Sequence, residues 1–195
     1  MSAADRDFIT IVSGLPRSGT SMMMRMLEKG GVPILTDAVR KADDDNPLGY
    51  FEFEPVKRLE KDTSWLPEAY NKAVKIIYIF LYHLPPEHRY KVIFMRRNLD
   101  EVVVSQKAML RRRNEVDRMS DQQLMDSYHD QLQKLDVWIR HQENFTIRYF
   151  DHHDVLADPA AAASEVTRFL GLQLDIPAMI QSVVPSLHRN RSVEP

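Results

Sequence analysis

Residues 11–21 read Ile-Val-Ser-Gly-Leu-Pro-Arg-Ser-Gly-Thr-Ser, and no other stretch constrains the fold as strongly. An apolar, β-branched run (Phe8 to Val12) enters it, and a methionine-rich helical pattern (Met22 to Leu27) leaves it. Gly14 and Gly19 stand five apart, as in the phosphate-binding pattern G-x-x-x-x-G-K-[ST]. A strand–loop–helix unit of this kind aims backbone N–H groups and a helix N-terminus at an anion. Thr20 takes the lysine position, so the loop lacks the residue that supports β- and γ-phosphate charge in ordinary nucleoside triphosphate chemistry. Arg17, Ser18, Thr20 and Ser21 are the side chains left to serve the anion, and an arginine–phosphate pair is charge-assisted and can be bidentate.

The rest of the chain alternates strand-like and helix-like segments. Apolar strands are expected at Phe8–Ser13, Ala73–Phe80, Tyr90–Met95 and Phe145–Tyr149, with helices at 20–29, 54–61, 99–113 and 159–170. Ser120 and Gln123 form a capping box that opens a long helix, and Asn98 with Glu101 reads as another. Asp158-Pro159 and Gly171 bracket 159–170 with an N-cap, a first-turn proline and a glycine stop. Asp175–Val184 reads as a short last helix. Short buried strands separated by helices specify an α/β, P-loop-type three-layer fold with a mainly parallel central sheet flanked by helices. A length of 195 residues suits one domain, 1–195, with 185–195 read as a mobile polar tail. Ligands of such a fold bind at the C-terminal ends of the strands. Both the 14–20 loop and the Arg96-Arg97 pair fall there, so they can face one ligand.

Composition narrows the partners. A net charge of −2 offers no basic field for nucleic acid. The longest apolar run, Ile76 to Tyr82, is seven residues, against the roughly 20 needed to span a bilayer. The absence of cysteine removes thiolate metal sites and suits a reducing, cytoplasmic compartment. Asp43-Asp44-Asp45 reads as a solvated turn, and no metal site is expected.

Pro16-Arg17-Ser18-Gly19-Thr20-Ser21 resembles the 5′-phosphosulfate loop of sulfotransferases, which use 3′-phosphoadenosine 5′-phosphosulfate (PAPS) and release 3′-phosphoadenosine 5′-phosphate (PAP). The arginine form is closer to tyrosylprotein sulfotransferases than to cytosolic ones. The family's second signature is an arginine after a strand and a serine eight residues on, which together hold the 3′-phosphate. Here it reads Arg97-Asn98-Leu99-Asp100-Glu101-Val102-Val103-Val104-Ser105. Together with Phe169-Leu170-Gly171, these motifs resemble bacterial-type sulfotransferase family proteins over most of the chain. The resemblance implies PAPS as cofactor, no metal, and Pro16 to Ser21, Arg97 and Ser105 as cofactor-binding residues. The family's late Arg-Lys-Gly segment is missing, which leaves Arg189 and Arg191 to supply a late cation. The catalytic histidine of the cytosolic branch has no counterpart.

Sulfuryl transfer needs a cradle for the departing phosphate, an in-line acceptor and a base. The resemblance gives Arg17 the leaving-group charge. Asn46-Pro47-Leu48-Gly49-Tyr50-Phe51-Glu52 resembles a segment seen after the loop in bacterial sulfotransferases. Its Glu52 is flanked by Tyr50, Phe51 and Phe53, aromatic neighbours that strip water from a carboxylate. Asp37 is the rival base, 20 residues beyond Arg17, and Glu54 the third candidate. The acceptor, a hydroxyl or amine on a small molecule, glycan or peptide, is expected between 36–53 and 65–90, with Trp65, Tyr70 and Tyr82 near it. Met109, Met119 and Met125 suit a homodimer face and core packing alike. Two other readings stay open: a degenerate P-loop nucleotide kinase or NTPase, and a non-catalytic nucleotide-binding protein.

Overall fold

A computed structural model describes residues 7–37, 39, 49–115 and 119–184. Strand β1 (Ile9–Gly14) is buried at every position. It lies at the centre of a five-stranded sheet of order β2-β3-β1-β4-β5. The partners are β2 (Ile34–Leu35), β3 (Ala73–Lys75), β4 (Tyr90–Arg96) and β5 (Phe145–Asp151). Every pairing is parallel; β1 registers Val12 against Lys75 on one side and Gly14 against Met95 on the other.

The period of two along each strand sends alternate side chains to opposite faces. Ile9, Ile11, Val92 and Phe94 build one core with α2 (Leu99–Arg112) and α3 (Asp121–Ile139). Val12, Ile93, Met95 and Phe150 build the other, against α1 (Thr20–Lys29), α4 (His152–Ala157), α5 (Pro159–Leu170) and α6 (Ile176–Gln181). The three expected layers are present. Among the described residues no helix is long and apolar enough to cross a membrane.

Caps account for most helix starts. Ser120 and Gln123 make the reciprocal capping box at α3, and Asp158 accepts from Ala161 N–H at α5. At α2 the Asn98 side chain caps as expected. Glu101, by contrast, sends a carboxylate oxygen to Arg97, because a guanidinium is a stronger partner than a backbone amide.

Two segments differ from the sequence reading. The apolar run after Ala73 leaves the sheet at Lys75 and winds into a 3-10 helix over Tyr78–His83, burying Tyr78 and Leu81; a short apolar run fits a buried strand or a buried turn equally well. Residues 54–61 narrow to a 3-10 helix at Glu54–Arg58. Met125 packs partly buried on the core, Met109 lines a cavity and Met119 is exposed.

Gly14 ends β1 with φ +146°, and a Cβ there would stand 2.5 Å from the Met95 carbonyl oxygen and from Ser18 Oγ. Gly14→Ala is therefore expected to lower unfolding free energy by about 1–3 kcal/mol or more, read as a lower midpoint in urea denaturation.

Candidate functional site

The loop between β1 and α1 is held by its own hydrogen bonds. Ser18 N–H and Ser18 Oγ both donate to the Leu15 carbonyl, at 3.2 and 2.7 Å. Arg17 sits at φ +71°, a conformation that a side-chain-bearing residue keeps only when its surroundings enforce it. Two contacts from the β4–α2 segment do so. Arg97 Nη1 donates to the Arg17 carbonyl at 3.1 Å, and Arg17 Nε donates to Ser105 Oγ at 2.9 Å. The Arg97 guanidinium is braced in turn by Glu101, Nε to Oε2 at 2.7 Å, with both side chains only 10% exposed. The two motifs read from sequence thus meet in one constellation.

Gly19 is the N-cap of α1 at φ +97°, with no side-chain cap. A Cβ there would stand 2.6 Å from His152 Cδ2, so α4 packs directly under the loop. The first N–H groups of α1 have no intrahelical acceptor and carry the positive end of the helix dipole. They border a cavity of about 460 Å³, a size usual for small-molecule sites.

That cavity opens across the C-terminal edge of the sheet. Gly19, Thr20, Ser21, Met22, Arg25, His152, Leu156 and Val184 line it from the α1 and α4 side; Phe53, Val56, Lys57, Ile77, Phe80, Gln106, Met109 and Arg113 line it from the other. Pro16, Arg17, Tyr50, Glu52, Lys75 and Arg97 complete the wall. Six cations (Arg17, Arg25, Lys57, Lys75, Arg97, Arg113) face one carboxylate, Glu52, among the described lining residues. The field of such a cavity selects anions.

The candidate acids separate in space. Glu52 is on the cavity wall. Asp37 is exposed and off it, accepting from Glu54 N–H at 2.6 Å and Val39 N–H at 3.1 Å, so it caps the 3-10 helix at Glu54. Glu54 pairs with Lys57 at 2.6 Å. Arg189, Arg191 and Asp43-Asp44-Asp45 lie outside the described residues. Of the expected acceptor-side aromatics, Trp65, Tyr70 and Tyr82 are off the wall, whereas Tyr50, Phe53 and Phe80 are on it.

Sequence reasoning missed Lys75, Arg25 and the α2 stripe. Lys75 Nζ reaches Ser21 Oγ at 3.2 Å and the Tyr50 carbonyl at 3.1 Å. It ties the segment bearing Glu52 to the start of α1. Its signal was a cation closing an apolar strand, which belongs at a strand's C-terminal end. Met109 and Arg113 follow Ser105 by four and eight residues, so Ser105 itself predicted their face.

A second cavity, of about 540 Å³, lies beside β4, β5 and α3. Its polar groups satisfy one another: Tyr149 donates to Asp136 at 2.6 Å, and the Arg96 guanidinium stacks 3.6 Å above the Tyr149 ring. Burial, reinforced by the Asp136 hydrogen bond, pushes the Tyr149 phenol up to about 12.

The sequence matches the family model described as "Sulfotransferase domain" over residues 7–194. No curated protein sequence matches. Among solved structures, a mouse sulfotransferase, SULT7A1, complexed with PAP is similar at 14% identity and TM-score 0.53, covering 97% of this chain and 68% of that one. The sulfotransferase domain of the Synechococcus olefin synthase aligns at 15% identity and TM-score 0.54, covering 97% and 82%. A sulfotransferase from Alicyclobacillus acidocaldarius aligns at 15% identity and TM-score 0.52, covering 93% and 88%. At these identities the likeness of structure establishes the P-loop-type α/β fold, and the family model carries the family.

Because Arg97 is braced by one largely buried carboxylate, Glu101→Gln is expected to cost about 1.5–3 kcal/mol in denaturant unfolding. Glu115→Gln, on an exposed residue, is expected to cost less than about 0.5 kcal/mol.

Proposed function

The chain belongs to the sulfotransferase domain family, and from that premise we propose that it transfers a sulfuryl group from PAPS to a hydroxyl or amine of an acceptor. The observation that carries the donor assignment is the coupling of two anion-binding points, the loop and the Arg97–Ser105 pair, through Arg17 in one cationic cavity. PAPS carries anionic groups at both its 5′ and 3′ ends. The residues present fit them: open N–H groups at the start of α1, the Thr20, Ser21 and Ser105 hydroxyls, and the Arg17 and Arg97 guanidiniums. Crystallisation of the mouse relative with PAP supports the same donor.

When bound, the donor supplies an activated sulfuryl group on a phosphate leaving group. Arg17, Thr20, Ser21 and the α1 N-terminus, on a loop that Ser18 shapes through its bond to Leu15, hold the 5′ end and stabilise charge that builds on the departing phosphate, usually the largest catalytic contribution. Arg97 and Ser105 hold the 3′ end. Lys75 adds charge at the start of α1 and fixes the segment that presents Glu52. Glu52, as the carboxylate on the wall, is assigned to take the acceptor proton, and the acceptor lies on the side of Phe53, Phe80 and Met109. A cytoplasmic site of action is part of this reading, as is a single domain over 1–195. A phosphoryl-transfer reading is not favoured, because Thr20 stands where that chemistry places its lysine.

Ligand-dependent melting tests the donor. PAP at a hundred times its dissociation constant is expected to stabilise the protein by about 2.7 kcal/mol, and ATP with magnesium to leave the midpoint unchanged; the reverse pattern overturns the reading. Arg17→Ala is expected to lower kcat about 100- to 1000-fold in a PAPS-dependent transfer assay. Glu52→Gln is expected to abolish most turnover while Asp37→Asn keeps it; an inactive Asp37→Asn beside an active Glu52→Gln reverses the assignment of the base.

A further inference from the structure

The reaction as derived leaves one buried charge without a task. Arg25 lies on α1 five residues beyond Thr20, and with Ser21 and Met22 it faces the cavity. It is 9% exposed, and no hydrogen bond or ion pair engages its guanidinium among the described residues. The nearest acid along the helix, Glu28, is half exposed and sits 3.9 Å from Lys29 instead. Burial pushes the Arg25 guanidinium below its ordinary range, with Glu28 opposing only in part. An arginine nevertheless stays protonated at any physiological pH, so the charge cannot be shed as a buried lysine sheds it. Met22, Leu156 and Val184, which line the same side of the cavity, are apolar. A buried cation with so little compensation opposes folding; Arg97, on the same wall and comparably buried, has Glu101 against it.

We propose that Arg25 is an oxyanion anchor, binding a carboxylate, phosphate or sulfate group of a molecule held in the cavity. Helix side chains lean towards the N-terminus, so the guanidinium serves the space in front of α1, where its planar fork can grip two oxygens. The oxyanion belongs to the donor or to the acceptor. The proposal rests on the reading that the cavity holds both. It distinguishes itself from a structural role by predicting opposite effects on the free and the liganded protein, since removing an uncompensated charge stabilises the former and weakens the latter.

The test uses the full chain with Arg25→Met, Arg25→Gln and Arg25→Lys. The free Arg25→Met protein is expected to melt at or above the wild-type midpoint, and added sodium sulfate is expected to raise its midpoint less than that of wild type. In calorimetric titration with PAP, a loss of about ten- to a hundredfold in affinity in Arg25→Met and Arg25→Gln, largely restored in Arg25→Lys, assigns the oxyanion to the donor. Unchanged PAP affinity, with selective loss of binding for 3-(4-hydroxyphenyl)propionate over 4-ethylphenol, assigns it to the acceptor. A lower melting midpoint in both neutral variants overturns the proposal, as do unaltered responses to sulfate, PAP and the carboxylated phenol. Wild-type protein that fails to bind PAP removes the sulfotransferase reading instead, and the melting and sulfate results then decide the anchor alone.

Discussion

The hydrogen bond from Arg17 to Ser105 is the contact on which the site depends. Arg17 occupies a backbone conformation that disfavours any residue with a side chain, and a loop held only by local bonds would relax out of it. The second bond, from Arg97 to the Arg17 carbonyl, closes a clamp between the first strand–helix unit and α2. The loop is thereby shaped before a ligand arrives, so little ordering is left to oppose binding. The clamp also means that the groups gripping one end of an anionic ligand are set by those gripping the other.

The sheet makes that clamp possible. β1 and β4 are adjacent and parallel, so the loop after one and the arginine after the other emerge at the same edge. Helices on the two faces then reach the edge from opposite sides, α1 and α4 from one and α2 from the other. A cavity formed across such an edge receives residues from both cores. This explains how one wall carries the loop and its helix while the other carries an apolar surface with Gln106 and Arg113. The tight approach of His152 under Gly19 fixes the depth of the α1 side.

The strand–loop–helix unit was legible because glycine spacing, a β-branched run and a helical methionine pattern each pointed the same way. The pairing of Arg97 with Ser105 was legible only through family resemblance, since spacing along one helix does not reveal that a loop 88 residues earlier reaches the same serine. Helix 159–170 was fixed by local chemistry, an aspartate cap, a proline and a glycine, and it appears at those bounds. β2, two residues long, and α4, six residues, carry too little periodicity to stand out. Lys75 and Arg25 were missed for a different reason. Their importance lies in what surrounds them, and burial beside a cavity is a property of the assembled fold. Asp37 rivalled Glu52 as a base through its distance from Arg17 along the chain, yet Asp37 caps a helix while Glu52 faces the cavity.

The central claim is that one ligand spans the loop and the Arg97–Ser105 pair, held through Arg17. Crystals grown with PAP test it most directly. The account predicts density for the 5′-phosphate against the N–H groups of Gly19, Thr20 and Ser21, and for the 3′-phosphate within hydrogen-bond distance of Arg97 and Ser105, with the Arg17 carbonyl still held by Arg97. A nucleotide seated in the cavity beside Arg96 and Asp136, or one whose phosphates leave Arg97 and Ser105 untouched, would contradict it.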